Sequence, residues 1–255
     1  MEFNLNSDQR SFQNALMVLS KASPEAVSVE RKFSKQNKYK NYLYIYTDVE
    51  TDFRNELEKL DSGEILFLCG SSGDGKSEII TKYSSNEKYY HEIDFHLDAT
   101  HSFKPHQTAI QALDERFKLT LNTGRPLVIG INVGMLGNYA KRGDDEFNSI
   151  KTAINSFLED RKDQITNEFI FIDFEDYPKF KFDEDTYSSS FAKPFFQKLT
   201  HQDENNPFYL LYKKELQQHG HTKLSTNFHL LSLTEVQDVL VELLLKARLI
   251  CSCPR

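Results

Sequence analysis

Four short apolar runs mark the middle of the chain, at 64–69, about 91–98, 126–132 and 168–174, and helical periodicity fills about 76–84, about 107–118 and about 147–160 between them. Strands alternating with helices at this spacing predict a parallel sheet covered by helices on both faces. Pro126-Leu-Val-Ile-Gly-Ile and Phe169-Ile-Phe-Ile carry no polar alternation, which predicts strands buried on both sides.

The flanks follow other patterns. Phe12, Leu16 and Leu19 recur at helical spacing behind Ser7 and Asp8, predicting a short amphipathic helix over 8–20 that Ser23-Pro24 ends. Tyr42, Tyr44 and Tyr46 alternate as in a strand or extended segment, and Val49, Phe53, Leu57 and Leu60 share one face of a helix over 48–60. Beyond about residue 180 the chain turns Phe-rich and then helical, closing on Val236, Val239, Leu240, Leu243 and Leu244. So apolar a face predicts a packing partner further along, and hence a truncated form of something longer. The expected organisation is an N-terminal helical and aromatic extension over 1–62, an α/β core over 63–180 and a mostly helical region over 181–255.

Composition narrows the class. Hydrophobic residues make up 39% of the 255 positions and aromatics 13%, enough to bury a sizeable core. The net charge of −7 opposes long-range attraction to DNA or an anionic membrane, so any nucleic-acid contact would come from a local patch or a partner. One such patch is Arg31 to Lys40, five basic residues with two aromatics, although a solvated linker leading into an aromatic packing face is the preferred reading. Its small size predicts weak, salt-sensitive binding of duplex DNA by the isolated chain. Cys69, Cys251 and Cys253 form no disulfide framework, and neither a leader pattern nor a membrane-length apolar stretch is present, so the expectation is a soluble cytoplasmic protein without membrane contact.

The chemistry concentrates after the first central strand. Glu64-Ile-Leu-Phe-Leu-Cys69 runs directly into Gly70-Ser71-Ser72-Gly73-Asp74-Gly75-Lys76-Ser77, which matches G-x-x-x-x-G-K-[ST] between a strand and a helix. In such a Walker A loop the glycines turn successive amides inward and the helix start adds its positive pole. Lys76 would bridge phosphate oxygens of ATP, and the Ser77 hydroxyl would ligate Mg²⁺. The acid completing the metal shell is either Asp98, about 22 residues after Lys76, or Asp173 with Glu175. Asp98 is preferred because the 126–132 strand ends on a polar Asn132, as a sensor strand beside the phosphate strand would. Asp98 is also expected to close a strand next to the loop. Lys76, Asp98 and Asn132 are thus the candidate catalytic residues, and Ser77 and Asp98 the candidate metal ligands; no water-activating residue is identifiable.

Weaker signals stay open. His96, His101 and His106 recur every five residues, which is no helical ligand spacing. Gly134-Met-Leu-Gly-Asn-Tyr reads as a tight turn near a ligand or as a plain strand-to-helix loop. A P-loop NTPase sheet also hosts kinases and nucleotide-gated scaffolds without turnover. A kinase would need arginines closing over the γ-phosphate, for which Arg116, Arg125, Arg142 and Arg161 are the candidates.

The segments LYIYTDVETDFRNELEKLDSGEILFLCGSSGDGKSE, IDFHLDATHSFKPHQTAIQALDE and PLVIGINVGMLGNYA resemble the DptF family of DNA phosphorothioation-dependent restriction proteins, over about Leu43 to Leu245. The resemblance implies an ATPase subunit of a bacterial restriction assembly that acts with DptG and DptH companions against DNA lacking the sulfur modification, with DNA contacted through those partners and oligomer formation open. Family members continue past Arg255, and the Cys-Ser-Cys-Pro-Arg tail departs from their helical continuation.

Overall fold

A computed structural model describes residues 11–20, 38–99, 106–183 and 186–252. In chain order, α1 (Phe12–Leu16), α2 (Lys38–Leu43) and α3 (Asp48–Leu57) precede β1 (Ile65–Cys69), α4 (Lys76–Ser84), α5 (Glu87–Tyr90) and β2 (Asp94–His96). Then come α6 (Ala109–Thr123), β3 (Leu127–Ile131), α7 (Val133–Arg142), α8 (Asn148–Leu158) and β4 (Phe169–Asp173). The chain closes with β5 (Lys181–Asp183), β6 (Thr186–Ser188), α9 (Ala192–Thr200), α10 (Pro207–His219), α11 (Lys223–Leu231) and α12 (Thr234–Ser252).

Two compact units result. Described residues within 48–177 form one, and those within 11–20, 38–47 and 178–252 form the other. The division departs from the expected boundaries because α3 belongs with the sheet, where Val49, Phe53 and Leu57 pack beside Leu66 and Leu68.

In the sheet unit, β1 to β4 form an all-parallel sheet in the order β2-β3-β1-β4. Period-two alternation divides its side chains between two helical layers. Ile65, Phe67, Cys69, Leu127, Ile129 and Ile131 face α6, α7 and α8. Leu66, Leu68 and Val128 face α3, α4 and α5. Central β1 and β3 are buried throughout, as their unbroken apolar runs require. By contrast β4 is half covered at Ile170 and Phe171, a correction to its expected double burial, because it is an edge strand.

α6 explains its own boundaries: Thr108 and Gln111 make a reciprocal capping box, and Gly124 ends the helix at φ 69°. The expected turn at Gly134–Tyr139 is instead α7, starting at once after Asn132. Met135, Leu136, Tyr139 and Ala140 share its buried face, and that packing outweighs the helix-weakening of Gly134 and Gly137.

The helical unit is held by Phe12, Ala15, Tyr39, Leu43, Leu199, Phe208, Leu211 and Phe228. The tyrosine alternation at 42–46 is not a strand: Tyr39 and Leu43, four apart, are the buried pair and set α2. Ser11 caps α1 by accepting from the Asn14 amide at 3.0 Å, whereas the expected caps Ser7 and Asp8 lie outside the described residues. Asn206 is wholly buried yet satisfied, donating to the carbonyls of Leu199 and His201 and accepting from the Phe208 amide. On α12 the buried face is Gln237, Val241 and Leu245, and the expected stripe is largely outward, with Val239, Leu243 and Leu244 exposed. Gln237 tolerates burial because its amide donates to Leu231 O at 2.9 Å and Thr200 Oγ1 at 3.2 Å.

Candidate functional site

Because all four strands are parallel, their carboxyl ends share one edge, and the chain leaving each strand starts a helix or turn there. Cys69 pairs with Ile131 on one side and Asp173 on the other, so Gly70, Asn132 and Phe174 follow side by side.

The Gly70–Ser77 loop leaves β1 at the centre of this edge. Gly73 and Gly75 adopt φ of 82° and 106°, a region side chains avoid, with open space where a Cβ would stand. Gly70 is needed for closeness: a Cβ there would lie 2.9 Å from Asp74 Oδ2 and 2.9 Å from Phe174 Cβ. Lys76 Nζ donates to Ser71 O at 2.5 Å, and the Ser71 amide donates to Asp74 Oδ2 at 2.5 Å. α4 begins at Lys76, and its ladder starts with the Glu78 and Ile79 amides on Gly75 O, so its positive pole opens into the loop. Cys69 beneath the loop is fully buried, and that burial, with the Asp173 charge added, pushes its thiol far above the ordinary range.

The order of strands corrects one expectation. β3 with Asn132 does lie beside β1, but the strand preceding Asp98 does not: β2 pairs with β3 alone, one strand removed from the loop. Asp173 ends the strand paired directly with β1. Asp98 is exposed beyond the ladder, and the next residue, Ala99, donates its amide to Gly130 O at 2.9 Å. A Cβ at Gly130 would meet Leu97 O at 2.5 Å and Ile80 Cδ1 at 2.7 Å. Ile80 of α4 and the Leu97 carbonyl therefore both close on Gly130 of β3.

Both flanking polar residues cap the next element. Asn132 accepts from the Met135 amide at 2.6 Å, and Asp173 from the Glu175 amide at 3.0 Å. His96 is buried with Nε2 3.1 Å from Asp98 O; burial, then the nearby Arg116 charge, lowers it to about 4, which keeps it neutral near pH 7. His101 lies outside the described residues, and no cluster of metal-ligating side chains occurs among those described.

Residues absent from the sequence reading tie the end of α4 and the segment after β4 to α3. Buried Glu50 on α3 accepts from Lys82 Nζ at 2.6 Å and Tyr83 OH at 3.3 Å on α4. Tyr177 OH donates to Asp52 Oδ2 at 2.7 Å. Only the clustering of acids in Asp48–Asp52 hinted at either. A groove of about 420 Å³ beside β4, at the opposite end of the sheet, is lined by Phe157, Ile165 and Phe169, and its lysines Lys59 and Lys162 pair with Glu56 and Asp176.

Of the four candidate arginines, Arg116 lies within α6, where its charge acts on His96, and the other three are poorly placed for a γ-phosphate. Arg125 precedes β3 and pairs with Asp94 at 3.4 Å, Arg161 precedes β4, and Arg142 ends α7, all toward the amino ends of the strands. No family model matches the chain, and the searches of curated proteins and solved structures returned no match. Among the described residues no helix is long and apolar enough to cross a membrane.

Proposed function

We propose that the chain binds ATP with Mg²⁺ at the carboxyl edge of its sheet. The observation that carries this reading is the Gly70–Ser77 loop, set between central β1 and the start of α4 with the Lys76 side chain folded back onto Ser71 O. The amides of Gly73 to Ser77 and the Lys76 ammonium would hold the phosphates, and Ser77 would hold the metal. The donors fit, since an open loop, a helix start and a hydroxyl are what a hard cation and a phosphate chain take. Asp98 is kept as the preferred second metal acid because β3, ending on Asn132 as a sensor strand would, lies between β1 and the strand before Asp98, and Asp173, which ends a strand paired with β1, is the alternative.

The cellular role is the ATPase subunit of a phosphorothioation-dependent restriction system, working with DptG-like and DptH-like partners that supply the DNA contacts. That role is supported by the resemblance of the loop, IDFHLDATHSFKPHQTAIQALDE and PLVIGINVGMLGNYA segments. Phosphate release by the chain, measured alone, with duplex DNA, and with both partners, tests it. Turnover that rises with partners and unmodified DNA supports the role. ATP binding with no turnover under any condition would favour a nucleotide-gated scaffold.

A further inference from the structure

We propose that Asp74 sets the metal preference of the loop, weighting it towards a triphosphate complexed with a divalent cation and against the bare polyanion; this rests on the nucleotide reading above. The carboxylate folds back onto the loop and stays half-exposed. Asp74 Oδ2 accepts the Ser71 amide at 2.5 Å, and the same atom lies 2.9 Å from where a Cβ on Gly70 would stand. The carbonyl of Ser71 accepts Lys76 Nζ at 2.5 Å. One residue's peptide groups therefore hold an anion and a cation of the same loop.

The geometry has two consequences. The amide bond to Asp74 braces the first turn, and a neutral oxygen could do that equally well. The charge is different: phosphates held by the amides of Gly73 to Ser77 gather within a few ångströms of a carboxylate flanked by those residues. Between partly exposed like charges at such range the penalty is about threefold to tenfold in affinity. A divalent cation cancels two of about four phosphate charges, so the repulsion is about twice as large for metal-free nucleotide.

Asp74→Asn separates brace from charge, because its amide oxygen still accepts from Ser71 while the charge is gone. Calorimetric titration of the full chain with ATP, once in Mg²⁺ and once in a chelator, reads the effect. Asp74→Asn should tighten metal-free binding by about threefold to tenfold and Mg²⁺-ATP binding by the square root of that, about twofold to threefold. Asp74→Ala, lacking the brace, should gain less than Asp74→Asn in chelator. Should Asp74→Asn fail to fold, Asp74→Ser reads the same ratio with another neutral side chain. A parent that binds ATP, with a variant whose ratio of Mg²⁺-bound to metal-free affinity is unchanged or larger, overturns the proposal alone. A parent that binds neither form overturns the nucleotide reading beneath it as well.

Discussion

The two ends of the parallel sheet use polar residues differently. At the amino end they close on one another: Ser62 Oγ and the Gly63 amide both donate to Gly124 O, Glu64 accepts from the Asp61 amide, and Arg125 meets Asp94. At the carboxyl end Asp74, Asn132 and Asp173 each accept from a backbone amide just after a strand. Parallel strands force this asymmetry, because every crossover returns to start its next element at the same edge. Helix starts, with their outward amides and positive poles, therefore collect at one end, which makes that end receptive to anions before any side chain is chosen.

Breaking the two ends separately should give opposite signatures. The largest effect is expected for Lys76→Ala, which should cost about 2–3 kcal/mol of ATP binding, tenfold to a hundredfold or more in affinity, while melting like the parent. Equal affinity by calorimetry in a folded variant would remove the carboxyl end from consideration as the phosphate site. Next, Asp98→Asn should weaken Mg²⁺-dependent affinity by about 1–2 kcal/mol and leave metal-free affinity nearly unchanged, with Asp173→Asn doing less. The reverse ranking would make the acid beside β1 the metal ligand. Smallest is Arg125→Ala at the other end, expected to lower stability by about 0.5 kcal/mol, since the pair is partly exposed, and to leave ATP binding alone. A change in affinity there would mean the ends are coupled.

Much of the sheet unit was legible because its signals are local. β1 and β3 are unbroken apolar runs, and the Gly70–Ser77 loop declares itself by spacing between a strand and a helix. The order of strands was not, because the side of β1 on which a returning strand lands is decided by crossover packing, here with Ile80 and the Leu97 carbonyl both close to Gly130. That is why Asp98 was placed one strand too near. α7 was hidden by two glycines, although the Met135, Leu136, Tyr139 and Ala140 spacing was there to be weighed against them. On α12 composition pointed to the wrong face, because a satisfied glutamine is buried while three aliphatic residues are not. Asp74 was legible only as one residue of the Gly70–Ser77 loop, since nothing in a spacing rule says that a carboxylate will fold back three residues.

The bond from Tyr177 to Asp52 joins the two extremities of the sheet unit, which interrupts the helical unit in sequence. Phe12 and Phe228 touch within the helical unit with their ring centroids 4.9 Å apart, although the whole sheet unit lies between them in the chain. Closing so long a loop from an unfolded chain is entropically unfavourable and slow. A sheet unit that has already brought 52 and 177 together shortens the effective loop to the flanking residues alone. The order of assembly follows: sheet first, helices second. In pulsed hydrogen exchange during refolding, amides of β1 and β3 should gain protection before those of α10 and α11, and simultaneous protection would show that the interrupted unit closes without that help.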